Sequence, residues 1–250
     1  MIMKFKNTNR PVAWAMVFLI GTFVGTHSSL AGEKAPGWQN LVNMSRADVS
    51  RFSLKMINNG ADVGSMTYGW ERDGTRYVIS DRTEMQPNIL ETAQAVIDAT
   101  TLLPLNIGID FAIGENNRKY DVTWNGKALT GGVVISQPGA EARTVDFSNP
   151  DHPPSALRLS IFGLIAGLQL GEGFSLKLPW YNTLSNTIEN IELVHDGIEN
   201  IETPAGTYQA HKIDLKHGTP ENIVYVTTSL PQKIIRIDVV GQPMHFVRLP

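Results

Sequence analysis

Apolar residues recur at every second position through most of the chain, the spacing a half-buried strand requires because successive side chains point to opposite faces of a sheet. Phe52, Leu54 and Met56 alternate with Arg51, Ser53 and Lys55, and Met66, Tyr68 and Trp70 share the next face after Asn58-Asn59-Gly60. An Asn-Gly step of this kind supplies the positive φ angles of a tight hairpin turn. Tyr77 and Ile79 follow a second turn signal at Asp73-Gly74. Ile107, Ile109, Phe111 and Ile113 alternate cleanly, and Tyr120, Val122 and Trp124 lead into Asn125-Gly126. Further strands are predicted around Ile191 and Leu193 and over 208–215, separated by Pro204 and Gly206. Segments 223–228, 233–240 and 244–249 then close the chain as a meander, with Gly241-Gln242-Pro243 as its last turn.

Two segments break the period of two. In 155–170, Leu157, Ile161, Leu164 and Leu168 recur at helical spacing between Pro153-Pro154 and Gly171, which fits a helix start and stop. Its residues are apolar nearly all round, so the predicted helix is buried against the sheet. The stretch 89–103 is ambiguous: its alanines favour helix, while its alternation allows a strand. Residues 131–149 are rich in glycine, proline and polar groups and read as a long loop or a frayed hairpin. The pattern as a whole is that of one all-β, mainly antiparallel domain with a single apolar helix.

Ahead of this domain, Lys4, Lys6 and Arg10 precede an apolar run from Val12 to Val24 and a Ser29-Leu30-Ala31 exit. That is the order of a secretory signal peptide over residues 1–31, cleaved near Ala31. The run is shorter than the roughly 20 residues that cross a bilayer as a helix. The expected mature chain, residues 32–250, therefore has no transmembrane span and is periplasmic or secreted. Its 18 basic residues face 24 acidic ones, a formal charge of −6. With no Lys/Arg cluster, it lacks the electrostatic footprint of a nucleic-acid-binding protein. Cysteine is absent throughout, which excludes disulfides, thiolate chemistry and a lipid anchor on a cysteine.

The residues that could carry chemistry are scattered. His152, His195, His211, His217 and His245 show no HxH or HExxH spacing, so no metal site is expected. No nucleophile elbow or glycine-rich phosphate loop occurs, and no catalytic residue or cofactor site is predicted. Glu189, Glu192, Asp196, Glu199 and Glu202 read as a solvated strand face with its turns. Aromatic residues are the better candidates for ligand contact, because they pair large apolar area with a polar handle. Tyr68 and Trp70 stand on one face, and Phe174, Trp180 and Tyr181 follow the apolar helix. The same residues also suit an ordinary core.

The second half carries a resemblance. The apolar segment runs into Leu170-Gly171-Glu172-Gly173-Phe174, an extended stretch follows, and then comes the run Glu202-Thr203-Pro204-Ala205-Gly206-Thr207-Tyr208-Gln209-Ala210-His211-Lys212. Pro231-Gln232-Lys233-Ile234-Ile235-Arg236-Ile237 follows near the end of the chain. This order resembles the exported bacterial proteins of domain-of-unknown-function family 3108, in which a TPAGTY turn joins two late strands. Asp98-Ala99-Thr100-Thr101-Leu102-Leu103-Pro104-Leu105 is similar to an earlier turn of that family and would favour a strand at 89–100. The resemblance implies a strongly curved sheet or open β-barrel enclosing apolar side chains, with a helix against its concave side. It implies no activity and no catalytic residues. The Pro204 to Gly206 turn has its own physical explanation, since proline presets φ and glycine accepts a positive one.

A curved sheet beside an apolar helix resembles, more distantly, carriers that move lipids or lipoproteins across the bacterial periplasm. The expected function is accordingly non-enzymatic binding of a lipid or other amphipathic small molecule. An enzyme acting on an envelope glycan, and a scaffold whose exposed β edge pairs with a partner, are the alternatives. Alternation leaves the oligomeric state open.

Overall fold

A computed structural model describes residues 37–250; the expected signal peptide lies outside the described residues. Eight strands follow one another first: β1 (Phe52–Asn58), β2 (Ala61–Asp73), β3 (Arg76–Met85), β4 (Ile89–Asp98), β5 (Pro104–Ile113), β6 (Asn116–Asn125), β7 (Ala128–Ser136) and β8 (Arg143–Asn149). A two-residue β9 (Ala156–Leu157), a 3-10 turn (Arg158–Ser160) and the helix α1 (Ile161–Ala166) interrupt them. Six strands complete the chain: β10 (Ser175–Asn182), β11 (Thr187–Thr203), β12 (Gly206–Lys216), β13 (Asn222–Thr227), β14 (Ile234–Val239) and β15 (Met244–Arg248).

All fifteen strands share one sheet in the order β8-β7-β6-β5-β4-β3-β2-β1-β15-β14-β13-β12-β11-β10-β9. Every neighbouring pair is antiparallel except β9–β10. The order follows from tight turns between sequence neighbours. At Asn59 and Gly60, φ angles of 50° and 79° make the hairpin turn that the sequence signals. The sheet does not close, because β8 and β9 at its two ends are unpaired to each other. It nevertheless rolls far enough for Trp124 of β6 to meet Tyr181 of β10 edge-on, ring centroids 5.3 Å apart. The β10 edge is buried on both faces, by Trp180 on one and Tyr181 on the other.

One continuous apolar cluster lines the inside of this roll, with α1 packed into it. Leu157, Ile161, Leu164 and Leu168 are all buried as the helical spacing implies, but the helix itself spans only Ile161–Ala166. Ala156 and Leu157 instead extend along β10, opposite Trp180 and Tyr181, because their backbone there satisfies the last strand of the sheet. Gly163 lets α1 lie directly on the Trp70 ring. The ambiguous stretch resolves as β4, with Ala93, Ala95 and Ile97 inward and Thr92 and Gln94 outward. Residues 131–149 are an ordered hairpin of β7 and β8, in register from Leu129–Asn149 to Ile135–Arg143. Among the described residues, no helix is long and apolar enough to cross a membrane.

Candidate functional site

Cross-strand register decides which inward side chains meet. Thr83 stands opposite Glu91, Glu91 opposite Phe111, and Phe111 opposite Arg118, in one row across β3 to β6. The adjacent row carries Tyr68, Asp81, Ala93, Ile109 and Tyr120. Asp81 and Glu91 are therefore diagonal neighbours on the concave face, two carboxylates brought together from adjacent strands. The Thr83 hydroxyl donates to Asp81 Oδ1 at 3.1 Å. Burial raises the Asp81 carboxyl to about 7, repulsion from Glu91 adds to this, and the Thr83 bond and Arg158 oppose it. Glu91 is raised in the same way by burial, again opposed by Arg158. Arg158, in the 3-10 turn before α1, partly offsets the charge of both carboxyls.

Around this pair the inward apolar side chains are not fully covered. Ile107 and Ile109 of β5 are buried, whereas Phe111 farther along the same face is half-buried and Ile113 is 41% exposed. Ile135 of β7 is half-buried, and Val145 of β8 is 40% exposed. Leu159 and Phe162 are also half-buried, Phe162 meeting the edge of the Tyr68 ring at 5.8 Å. This end of the roll joins half-covered apolar side chains to a desolvated carboxyl pair, with Arg118 opposite Phe111 in the row of Glu91. A cleft of about 340 Å³ over the outward side chains of β2 to β4 is lined by Arg51, Thr67, Glu71, Ser80, Arg82 and Gln94, and Asp81 also borders it.

The aromatic residues singled out from sequence fall into separate places. Tyr68 and Trp70 are buried together: Trp70 Nε1 donates to the Tyr68 hydroxyl at 2.7 Å, and that hydroxyl donates to the Leu159 carbonyl at 2.9 Å. Trp180 is buried on the other wall, where its Nε1 donates to Glu189 Oε2 at 2.8 Å. Asn182 Nδ2 and the Thr219 backbone N–H also donate to Glu189, at 3.0 and 2.9 Å. Glu189 is thus a structural acceptor rather than one of a solvated row. Tyr181 packs against Trp124 and His152 at the seam of the roll, and burial raises its phenol. Phe174 is half-buried, and its carbonyl accepts from the His195 backbone N–H at 3.0 Å.

The histidines separate as well. His152 Nε2 lies 2.9 Å from Ser155 Oγ, but both residues are buried beneath Trp124 and Tyr181, and burial lowers the imidazole pKa. His195 Nε2 and His211 Nδ1 stand 3.0 Å apart, their rings inclined at 62°. A bulge in β11 between His195 and Ile198 turns His195 onto His211 of β12. Gly197 adopts φ 94° within it. The His211 imidazole is lowered by burial, then by His195 and by Arg46 in the 3-10 turn Met44–Arg46. Neither the carboxylate pair nor the histidine pair emerged from sequence, since both depend on register. An isolated glycine inside a strand pattern, Gly197, was the available sign of the bulge. Among the described residues, no three His, Asp or Glu stand together as a metal site. Comparison of the chain with protein-family models, curated proteins and solved structures found no match.

Proposed function

We propose that the protein is an exported, non-enzymatic carrier that holds an amphipathic or apolar ligand against the concave wall of β3 to β8. The observation that carries this reading is the incomplete burial of inward-facing apolar side chains along β5, β7 and β8. Phe111, Ile113, Ile135 and Val145 face the same side as fully buried residues yet retain accessible surface, Phe111 directly opposite Glu91. An acyl chain laid there gains roughly 0.8 kcal/mol for each methylene it buries, so a chain of moderate length offsets the cost of association.

Native mass spectrometry of the protein purified from its own cell envelope without detergent tests this. A mass increment released by organic solvent is expected. A bare mass, together with no uptake of a fluorescent fatty acid, would overturn it.

A second reading has one specific observation behind it. A carboxyl held near 7 beside a second carboxylate is what a glycoside-cleaving general acid requires. Turnover of an envelope glycan, abolished by Asp81→Asn, would replace the carrier reading.

A further inference from the structure

Alternation sends the charged residues Asp81, Glu91, Arg118 and Arg143 to the concave face of β3 to β8. Arg118 is two residues from the buried Tyr120 on β6, and Arg143 is four from the buried Phe147 on β8, so each shares its strand's inward face. Both stand directly opposite Ile135 of β7, one from each side. The two arginines therefore flank one half-buried apolar residue, their Cα atoms two strand spacings or about 10 Å apart, and the curl of the sheet tips their side chains together. Exposure rises toward this end on three strands: from Ile109 to Ile113 on β5, from Val133 to Ile135 on β7, and from Phe147 through Val145 to Arg143 on β8. Arg118 and Arg143 thus mark the open end of the wall. Asp81 and Glu91 lie across Phe111 from them, where burial favours the uncharged acid and Arg158 opposes what charge remains. Arginine keeps its charge, so positive charge prevails at the open end.

We propose that the ligand of this wall is a single-chain fatty carboxylate, its chain laid over Phe111, Ile135 and Val145 and its head group held by Arg118 and Arg143. The inference deepens the carrier reading and rests on it. A guanidinium presents paired N–H donors in a planar fork that matches the two oxygens of a carboxylate. A head group above Ile135 has one such fork on either side, and the chain that follows meets apolar side chains at once. The uncovered patch from β5 to β8 is three strand spacings across, about 14 Å, which suits one chain rather than two. A cationic head would meet two like charges there, and a neutral head would gain no charge-assisted bond.

The test is calorimetric titration of the purified protein with four probes of one chain length: decanoate, decanol, decyltrimethylammonium and decyl phosphate. Each is kept below its micelle concentration, at about pH 8, where a carboxylic acid head is ionised. Decanoate is expected to bind at least about tenfold more tightly than decanol or decyltrimethylammonium. That preference should shrink as sodium chloride is raised from about 20 to about 500 mM. Arg118→Gln, at a half-buried position, should weaken decanoate about tenfold, and the exposed, better screened Arg143→Gln about threefold. Decanol affinity should stay the same in both variants, which separates a lost head-group contact from a damaged fold. Decanol bound as tightly as decanoate would overturn the head-group assignment and leave the carrier reading standing. Preference for decyltrimethylammonium would overturn it in favour of a head at Asp81 and Glu91, and preference for decyl phosphate would overturn the carboxylate. Binding of none of the four would overturn the carrier reading and this inference with it.

Discussion

Gly163→Ala should destabilise the protein even though alanine is the better helix former. A Cβ at this position would stand 2.4 and 2.5 Å from Cε2 and Cζ2 of Trp70 and 2.8 Å from its Nε1. Ordinary carbon contacts lie at about 3.5–4.0 Å, so α1 or the indole has to move by roughly 1 Å. The indole is poorly placed to yield: it is buried, it meets Tyr77 at 5.4 Å, and its N–H is bonded to Tyr68. Overpacking of this kind costs about 1–3 kcal/mol, and a rigid aromatic neighbour places it at the upper end. The gain in helix propensity returns about 1 kcal/mol. A net loss of about 1–2 kcal/mol is expected, read as a fall in Tm of about 3–6 °C for a domain of this size. Two further glycines calibrate the measurement by denaturant unfolding. At Gly167 the Cβ meets Val42 Cγ1 at 2.8 Å and the flexible Met44 at 3.3 Å, so the loss should be smaller. At Gly171 nothing lies within 4 Å, and alanine should change stability by less than about 0.5 kcal/mol. If Gly163→Ala proved as stable as Gly171→Ala, the docking of α1 on Trp70 would be refuted.

Tyr68→Phe removes a hydroxyl that accepts from Trp70 and donates to the Leu159 carbonyl, leaving the buried Trp70 N–H unpaired. A loss of about 2–3 kcal/mol is expected in guanidinium unfolding, and a loss below about 0.5 kcal/mol would contradict the relay. Glu189→Ala strands the buried Trp180 and Asn182 donors of β10 and should cost about 2–3 kcal/mol, against less than about 0.5 kcal/mol for the exposed Glu202→Ala. Asp81→Asn tests the raised carboxyl. Its folded pKa of about 7 lies above the unfolded value, so the native state binds more protons between about pH 4 and 7, and this group's contribution to stability falls as pH rises through that window. The variant should match the wild type near pH 4 and exceed it in stability at pH 8, and a difference that does not grow with pH would refute the assignment.

The strands were legible because alternation and turn residues agree. Phe52 to Met56, Met66 to Trp70 and Ile107 to Ile113 show inward faces directly in sequence, and Asn59-Gly60 marks their first turn. The helix was legible as a buried apolar segment but not in length. Ala156 and Leu157 satisfy a helical spacing and a strand equally well, and only the presence of β10 beside them decides. The site was less accessible. Asp81 and Glu91 are ten positions apart on different strands, and nothing local says that a tight turn places them diagonally. Tyr68, Trp70, Trp180 and Tyr181 illustrate the converse: an aromatic residue with a polar handle looks alike in sequence whether its handle meets a ligand or, as in these four, a partner within the fold.

The strand order bears on how the molecule assembles. From β1 to β8, and again from β10 to β15, each strand pairs with its neighbour in sequence, so both runs can grow hairpin by hairpin. Among the strand ladders of the described residues, β1–β15 is the one that joins the two runs, pairing Leu54 with Arg248. Closing a loop of about 190 residues costs about 2 kcal/mol more than closing one of 20, and no local contact offsets it beforehand. That ladder is therefore expected to form late and to limit the folding rate. Because the start of β1 and the end of β15 lie side by side, a circular permutant joining them would turn the slowest contact into a hairpin.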